Sequence, residues 1–425
     1  MRGRDARGRR LVAVTGMGVV SSLGQGQAAN WEAATAGRSG VRTISRFSTQ
    51  GLRTRIAGTV EFVEAAPFSP AKLSEELARL AIEEALEQSW IGRPGDFPGA
   101  LVMAVPPVEL GWPQRQALGR ESGAEGEVSY RHLLEAAASG RHKEWHDLFQ
   151  FGTIAEHMAE RFGTRGSPIS LQTACSSGAT AIQLSVESIR RGETAAALCV
   201  GTDASVNPET VIRFSLLSAL SGHNDPPDHA PRPFAKDRDG FVMGEGAAAL
   251  VLEDAEAATA RGARILGYVL GCGEKGDDFR RTRSSPDGWP IIAAMREAID
   301  DAGLSPDDID YVNAHGTGTP ENDKMEAIGC LTVMGERMNG VPISSNKSMI
   351  GHTLTAAGAI ETVMSLLTIE HGRIPPTINY RVPDPAITLD VVPNVARDTK
   401  VTRVLSNSFG FGGQNSCLVI AAEPA

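Results

Sequence analysis

Residues 173–178 read Thr173-Ala174-Cys175-Ser176-Ser177-Gly178, a small-residue turn that follows an apolar run. The helical pattern over residues 179–191 places Cys175 at a helix start, where free backbone N–H groups and the helix dipole stabilise a thiolate. The small neighbours also leave the backbone N–H of Cys175 open to a substrate carbonyl. The turn therefore predicts a thiol nucleophile that attacks a thioester, although a lone cysteine is by itself more often a buried structural residue.

The composition of the 425-residue chain, with 41% hydrophobic and 22% charged residues, indicates an ordinary globular protein of two or more domain-sized units. Its five scattered cysteines predict neither disulfides nor a zinc site and favour a reducing cytoplasm. Thr15, Gly16 and Gly18 interrupt the apolar run after the basic N-terminus, so a strand and turn are predicted there rather than a signal peptide. No segment is long enough to span a membrane, and the net charge of −10 argues against nucleic acid as a partner.

The pattern of strands and helices runs twice along the chain. A helix and strand over residues 77–105 recur over residues 291–314, and the turn and helix that begin at Thr173 recur from Ser345 onward. A glycine turn and apolar strand over residues 240–252 recur over residues 408–420. Because three correspondences keep the same order, we expect a duplicated α/β fold with pseudo-twofold symmetry. The predicted halves are residues 1–260, with Cys175, and residues 261–425.

Three further stretches of small residues lie where a strand is predicted to end or a helix to begin. They are residues 313–320 (NAHGTGTP), residues 346–352 (NKSMIGH) and residues 407–413 (NSFGFGG). Open α/β sheets build their sites at such an edge. One cysteine and two histidines, His315 and His352, flanked by Gly, Ser or Thr at these junctions, form a specific catalytic pattern.

These motifs resemble those of the β-ketoacyl-acyl-carrier-protein synthases, the condensing enzymes of fatty-acid elongation in the thiolase superfamily. The similarity extends over nearly the whole chain, from Val14-Thr15-Gly16 through Arg238-Asp239-Gly240-Phe241 to the glycine turn at residues 409–413. The order Cys, His, His is similar to that of the elongating branch, whereas the initiating branch uses Cys, His, Asn. The resemblance implies a thiolase-like duplicated αβαβα layered fold.

The resemblance also implies a role for each matching residue. Cys175 would be the nucleophile, and His315 and His352 would stabilise the enolate formed when a malonyl thioester loses CO₂. The family's supporting charged residues match Lys347, Asp323 and Glu326, and its pantetheine contacts match Thr317 and Thr319. Its gate over the acyl pocket matches Phe409, and a substrate-binding aromatic matches Phe411. Lys347 is expected to pair with Glu326, and the backbones of Cys175 and Phe409 are expected to hold the oxyanion.

The implied reaction is decarboxylative condensation of an acyl-enzyme thioester with malonyl-acyl-carrier protein in fatty-acid elongation, with no cofactor and no metal. The implied partner is acyl-carrier protein, in acyl and malonyl forms carried on phosphopantetheine. A homodimer is also expected, because the strand Ala195–Val200 is apolar on both faces. The C-terminal half is equally similar to synthases that make very long chains or chains for envelope lipids.

Several alternatives stay open. A polyketide-type ketosynthase has the same motifs, whereas a chain-length partner subunit is expected to lack the nucleophile that Cys175 provides. A degradative thiolase would need a second catalytic cysteine in a glycine-flanked turn, but Cys417 lies inside an apolar run.

Two segments depart from the family pattern. Residues 68–76 (FSPAKLSEE) are shorter and more acidic than the usual basic segment before the first long helix. Residues 106–165 diverge as well and hold four histidines without defensible partner spacing, namely His132, His142, His146 and His157. We expect these residues to form a surface insertion or a cap that faces a dimer partner. Both departures leave the carrier-protein docking surface and the lining of the acyl pocket undetermined.

Overall fold

The chain folds around one large mixed β-sheet, in a computed structural model that describes residues 3–65, 68–107, 110–121 and 129–424. The strands are β1 (Val12–Ser21), β2 (Gly24–Gln25), β3 (Arg42–Thr43), β4 (Ile56–Ala57), β5 (Ala100–Ala104), β6 (Ile169–Leu171), β7 (Ala196–Asp203), β8 (Gly246–Asp254), β9 (Gly267–Gly276), β10 (Tyr311–Asn313), β11 (Ile343–Ser344), β12 (Arg373–Ile374), β13 (Arg397–Asp398), β14 (Arg403–Phe409) and β15 (Gln414–Ala421).

Helices cover both faces of this sheet. They are α1 (Gln27–Thr35), α2 (Pro70–Ser89), α3 (Trp112–Glu121), α4 (Tyr130–Ala138), α5 (Lys143–Leu148), α6 (Thr153–Phe162), α7 (Ser177–Arg191), α8 (Pro208–Leu216), α9 (Ala255–Ala260), α10 (Trp289–Asp301), α11 (Pro320–Met334), α12 (Lys347–Ile350) and α13 (Ala357–His371). Short 3₁₀ turns lie at Pro227–His229, Pro306–Asp308, Gly335–Gly340 and Leu354–Ala356.

The order of strands in the sheet is symmetric about its centre. It runs β11-β10-β14-β15-β9-β1-β8-β7-β5-β6, so that each half of the chain contributes five strands in mirrored order. The halves join where β1 pairs with β9 through Ala13 and Tyr268. In each half the outer strands pair in parallel and the inner strands pair antiparallel. The predicted duplication about a pseudo-twofold axis is confirmed.

The two central helices, α7 and α13, contact each other at their first turns. A Cβ atom added to Gly178 would lie 2.6 Å from the backbone N of Ala359, and one added to Gly358 would lie 2.6 Å from the backbone N of Ala179. These reciprocal contacts require glycine at both positions, because ordinary Cβ contacts are longer. The pseudo-twofold axis therefore passes between these two helix starts.

Residues of the divergent segment form helices α3 to α6, apart from those that lie outside the described residues. His142 bonds to Glu121 and its ring stacks on Trp145 at 4.1 Å. His157 lies 3.2 Å from Glu75 on α2, and His132 bonds to Ser129 at the start of α4. Each of these three histidines has a local partner, and none borders the cavity at Cys175.

Strand β7 cannot pair with a partner subunit, contrary to the reasoning from its apolar faces. It lies between β5 and β8 and bonds to both, and its residues are buried within the chain itself. Its apolar character is explained by helices of the same chain that cover the sheet on both faces. The described edge of this half of the sheet is β6, where Ile169 is 47% exposed.

All five cysteines are free thiols, and all are buried. Among the residues that the structure describes, no helix combines the length and the apolar character needed to cross a bilayer.

Candidate active site

Cys175 lies at a sharp turn between β6 and α7. Ala174 has φ 49°, a left-handed conformation that is strained for a residue with a Cβ. The hydroxyl of Ser177 accepts a hydrogen bond from the backbone N–H of Thr173 at 2.8 Å, and Ser176 donates to the Thr173 carbonyl at 2.7 Å. This bonding holds the turn closed and presents the thiol at the start of the helix.

Burial raises the pKa of the Cys175 thiol to about 11, while the backbone N–H of Phe411 and the charge of Lys347 act in the opposite direction. The expectation of a stabilised thiolate therefore does not describe the free protein, in which the thiol is only 9% exposed and carries its proton at neutral pH. Loss of water around the sulfur outweighs the favourable helix start.

The two histidines converge on this thiol. The sulfur of Cys175 and one ring nitrogen from each of His315 and His352 lie within 4.8 Å of one another. The two rings meet edge to face, with centroids 5.2 Å apart and an interplanar angle of 84°. The structure thus brings together the three residues that the sequence placed in separate stretches.

The hydrogen bonds of both imidazoles determine which nitrogen carries the proton. The ammonium of Lys347, which can only donate, lies 3.4 Å from Nδ1 of His315, and the backbone N–H of Leu354 donates to Nδ1 of His352 at 3.2 Å. Nδ1 is therefore the acceptor in each ring, so a neutral imidazole carries its proton on Nε2. The Nε2 of His352 is buried and has no hydrogen-bond partner, which leaves a donor free for a ligand.

Both imidazoles are neutral at physiological pH. Burial lowers the pKa of His315 well below its ordinary value, and the charge of Lys347 lowers it further. Burial and then Lys347 lower the pKa of His352 in the same way. The arrangement therefore offers two uncharged N–H donors beside the thiol.

Lys347 pairs with Glu361 on α13, not with Glu326 as predicted. Both side chains are buried, with 3% and 2% exposure, so the ion pair is shielded from water. Sequence analysis missed Glu361. A signal for it exists, because Glu361 is the one charged residue within residues 356–369, which belong to a buried helix.

Glu326 instead accepts hydrogen bonds from the backbone of the turn that carries His315. The N–H groups of His315 and Gly316 donate to its two oxygens at 2.8 and 2.7 Å, and the amide of Asn407 donates at 3.0 Å. Burial raises the pKa of Glu326 to about 6, although these donors act to lower it. Glu326 therefore positions His315 through its backbone, and Asn407 is a second partner that sequence analysis did not single out.

Asp323 holds the neighbouring part of the same turn. Its carboxylate accepts hydrogen bonds from the backbone of Phe234 at 2.7 Å and of Gly318 at 3.2 Å, and it lies 3.7 Å from Arg238. Thr317 and Thr319 share a hydrogen bond of 2.9 Å between their hydroxyls and border the passage to Cys175.

Phe409 does not have the surroundings that its expected roles require. The backbone N–H at the Cys175 thiol is that of Phe411, not that of Phe409. Phe409 is paired with Asn415 at the end of β14, and its buried ring lies 5.8 Å from His315. Phe411 instead lies in the turn between β14 and β15, partly exposed, 6.5 Å from the ring of Phe214. A strand residue has less freedom to move than a turn residue, so the expected gate at Phe409 does not fit its surroundings.

One cavity of about 450 Å³ is lined by Cys175, His315, His352, Phe409 and Phe411. Phe214, Ala219, Phe241 and Leu354 give it an apolar wall near Cys175, while Thr317 and Thr319 border it further along. A thiol and two imidazoles are also ligands that Zn²⁺ accepts. Here Nδ1 of each ring accepts a hydrogen bond, so each Nε2 carries a proton and is a donor to a carbonyl oxygen rather than a metal ligand.

Comparison with protein families gives two matches that together span most of the chain. The β-ketoacyl synthase N-terminal domain matches residues 9–86 and 116–258, and the β-ketoacyl synthase C-terminal domain matches residues 266–381.

Relatives of both biosynthetic kinds are similar over nearly the full length. The tetracenomycin polyketide synthase ketoacyl synthase alpha subunit of Streptomyces glaucescens is 40% identical and covers 97% of each chain. The 3-oxoacyl-[acyl-carrier-protein] synthase 2 of Coxiella burnetii is 37% identical and covers 97% of this chain and 99% of its own.

Solved structures of the same kind superpose closely. A β-ketoacyl synthase from Burkholderia phymatum has a TM-score of 0.82 at 31% identity, covering 97% of this chain and 99% of its own. The AntDE:AntF complex, a type II polyketide ketosynthase with its acyl-carrier protein, has a TM-score of 0.85 at 30% identity, covering 98% of this chain and 100% of that chain. The thiolase-like fold that the motifs implied is confirmed.

Proposed function

Because this chain belongs to the β-ketoacyl synthase family of condensing enzymes, we propose that it catalyses decarboxylative Claisen condensation between an acyl group on Cys175 and malonyl-acyl-carrier protein. The products are 3-oxoacyl-acyl-carrier protein, CO₂ and free carrier protein. The observation that carries the proposal is the convergence of Cys175, His315 and His352 within 4.8 Å, with both histidines in the Nε2–H form.

In the first half-reaction, the sulfur of Cys175 attacks the thioester carbonyl of acyl-carrier protein. A carbon–sulfur bond to Cys175 forms, the bond to the carrier's sulfur breaks, and the thiol proton ends on the released carrier thiol. The tetrahedral oxyanion needs two donors. The backbone N–H groups of Cys175 and Phe411 are the proposed pair, and Phe411, in its turn, is the proposed gate.

In the second half-reaction, the malonyl group loses CO₂ and its bonding electrons form an enolate. The Nε2–H groups of His315 and His352 donate to the enolate oxygen, so no metal is needed to hold the developing charge. The enolate carbon attacks the acyl-Cys175 carbonyl, the carbon–sulfur bond breaks, and the released thiolate takes a proton from solvent. The raised pKa of Cys175 favours this return to the neutral thiol.

The apolar wall of Phe214, Phe241 and Leu354 supports a reduced acyl chain and hence fatty-acid elongation, including very long or envelope-lipid chains. Polyketide synthesis is the second candidate, supported by the 40% identity to the tetracenomycin alpha subunit. The two differ in the chain that Cys175 accepts. A fatty-acid enzyme prefers saturated acyl groups, whereas a polyketide enzyme condenses again on its own unreduced 3-oxo product.

The proposed partner is acyl-carrier protein, which presents acyl and malonyl groups on a phosphopantetheine arm beside Thr317 and Thr319. The AntDE:AntF complex supports this pairing, because it joins a ketosynthase to its acyl-carrier protein. A homodimer in the cytoplasm stays a prediction, and we propose that its subunits pair through β6, the described edge of the sheet, because β7 is enclosed between β5 and β8.

The test separates the two half-reactions by release of labelled CO₂ from malonyl-carrier protein. Cys175→Gln should abolish condensation but retain decarboxylation, because its amide occupies the place of the acyl thioester. Adding His315→Ala should lower CO₂ release by about 10²- to 10³-fold, the usual effect of removing one oxyanion donor. His157→Ala, at the surface beside Glu75, is the matched control.

Absence of CO₂ release from folded Cys175→Gln, or a rate that His315→Ala leaves unchanged, would contradict the division of labour. The substrate class is read from the same wild-type protein, primed with a saturated or a 3-oxoacyl group and supplied with malonyl-carrier protein. A second round of condensation without any reductase would favour the polyketide candidate.

A further inference from the structure

Arginines outnumber the exposed acidic side chains at the mouth of the active-site cavity, where Glu321 is the partly exposed carboxylate among the described lining residues. Arg280, Arg281 and Arg283 border the same cavity as Cys175, and all three are exposed on the loop between β9 and α10. We name these three residues the arginine lip. Among the described residues, no carboxylate forms an ion pair with any of their guanidinium groups. Most other arginines near the surface have such a partner, for example Arg38, Arg191 and Arg264.

The loop that carries the arginine lip is held in place rather than loosely tethered. Asp277 accepts hydrogen bonds from the backbone N–H groups of Phe279 at 3.0 Å and Ser285 at 2.8 Å, which closes the loop on itself. The Arg281 carbonyl accepts a hydrogen bond of 2.7 Å from the backbone N–H of Gly412, next to Phe411. The backbone that carries the three arginines therefore has a defined position at the entrance.

Exposed apolar side chains lie at the same entrance. Leu217 borders the cavity and is 50% exposed, Leu216 beside it is 82% exposed, and Phe279 in the arginine loop is 45% exposed. We name Leu216 and Leu217 the apolar lip. A free phosphate would gain nothing from such residues, whereas a protein surface that combines acidic and apolar side chains would contact both lips.

The overall charge of the chain makes such a local patch necessary for an acidic partner. A net charge of −10 repels an acidic protein at long range. The segment before α2 does not offset this charge, because residues 68–76 hold Lys72 together with Glu75 and Glu76. The arginine lip is thus a basic surface at the cavity that a carrier-borne acyl group enters to reach Cys175.

We propose that the arginine lip and the apolar lip together form the docking surface for an acidic carrier protein. This inference rests on the proposed function and names the surface by which the carrier is recognised. The guanidinium groups bind carboxylates of the carrier around the base of its arm, while Leu216 and Leu217 contact its apolar side chains. The carrier arm then passes Thr317 and Thr319 toward Cys175.

The test compares two triple variants with the same change in net charge. Arg280→Gln, Arg281→Gln and Arg283→Gln are combined in one protein, and Arg38→Gln, Arg191→Gln and Arg264→Gln are combined in the control. Each is assayed for condensation with malonyl-charged bacterial acyl-carrier protein, with malonyl-coenzyme A and with malonyl-pantetheine. Coenzyme A has phosphates but no protein, and pantetheine has neither.

We expect the lip variant to lose about 10- to 50-fold in kcat/KM with the carrier-protein substrate, mainly through KM, because three exposed charge pairs are lost together. Its activity with the two small thioesters should stay within about twofold of wild type, and so should every activity of the control. Raising the salt concentration should lower the kcat/KM of the wild type with the carrier-protein substrate and so reduce its advantage over the lip variant, because screening removes the charge attraction.

Each other outcome has a distinct meaning. Equal carrier-protein activity of the lip variant and the control would overturn the docking surface but leave the proposed function intact. Equal losses of the lip variant with malonyl-coenzyme A would show recognition of phosphate and overturn the protein partner. A wild-type protein that condenses none of the three substrates would instead contradict the proposed function. Leu216→Ser provides an independent check, with an expected loss of a few-fold confined to the carrier-protein substrate.

Discussion

The two halves of the molecule carry the same turn with different chemistry. Residues 173–179 read TACSSGA and residues 353–359 read TLTAAGA, so that Cys175 corresponds to Thr355 and Gly178 to Gly358. The second residue of each turn is left-handed, with φ 49° in one half and 47° in the other. The backbone of the nucleophile turn is therefore a feature of the duplicated fold.

The difference lies in what surrounds the third residue. Cys175 borders the cavity beside His315 and His352. Thr355 is buried and donates to the carbonyl of Thr202 at 2.7 Å and to Asp203 at 2.8 Å. Duplication thus provides the strained turn twice, whereas catalysis depends on the half that opens to the cavity.

Exchanging the side chains of Cys175 and Thr355 tests whether the two turns differ in function, and it has the largest expected effect. We expect Cys175→Thr to lose condensation by about 10⁴-fold or more, because the nucleophile is gone. Adding Thr355→Cys should not restore activity, because that position faces Asp203 rather than the histidines. The measurement is formation of 3-oxoacyl product from acyl- and malonyl-carrier protein.

Thr355→Ser is the matched control, because serine keeps the hydroxyl that bonds to Asp203 and should keep the activity. Recovery of condensation by the exchanged protein would show that the two turns are functionally equivalent and would refute the distinction.

The reciprocal contacts of Gly178 and Gly358 allow the two halves to be compared by their contribution to stability. Gly178→Ala and Gly358→Ala should each lower the free energy of unfolding by about 2–4 kcal/mol, because each Cβ would meet a backbone nitrogen at 2.6 Å. Equal effects are expected from the pseudo-twofold symmetry. Urea unfolding of both variants measures them.

Gly276→Ala is the control, because a Cβ there meets nothing within 4 Å. A clearly smaller effect at one of the two central glycines would show that the axis does not relate the contacts as closely as the geometry indicates.

The pH dependence of alkylation tests the protonation state of the Cys175 thiol. The raised pKa of Cys175, about 11, keeps the thiol protonated at pH 7, so the thiolate fraction and the iodoacetamide rate should rise about tenfold for each pH unit up to pH 10. Cys175→Ser measures the background from the four other buried cysteines. A rate that levels off near pH 7 would show a stabilised thiolate instead.

Much of this arrangement could be predicted from local sequence. Glycine turns, apolar strands and their repetition indicated the duplicated fold, because backbone geometry and burial act over a few residues at a time. Cys175, His315 and His352 were found for the same reason, since each is flanked by small residues at a strand-to-helix junction.

Partners across long distances in the chain could not be predicted in this way. Lys347 was assigned to Glu326 because both are charged and near the histidine stretches, but α13 brings Glu361 to it instead. Glu326 turns toward the backbone of His315, where unpaired N–H groups require an acceptor.

The sequence by itself determined which residues are able to react and which turns hold them, because small residues and glycines set local backbone geometry. Only the tertiary structure decided that Phe411 rather than Phe409 reaches the thiol, and that Cys175 rather than Thr355 faces the histidines. It also decided the protonation of Cys175, because the cost of burying a charge depends on every group packed around the sulfur.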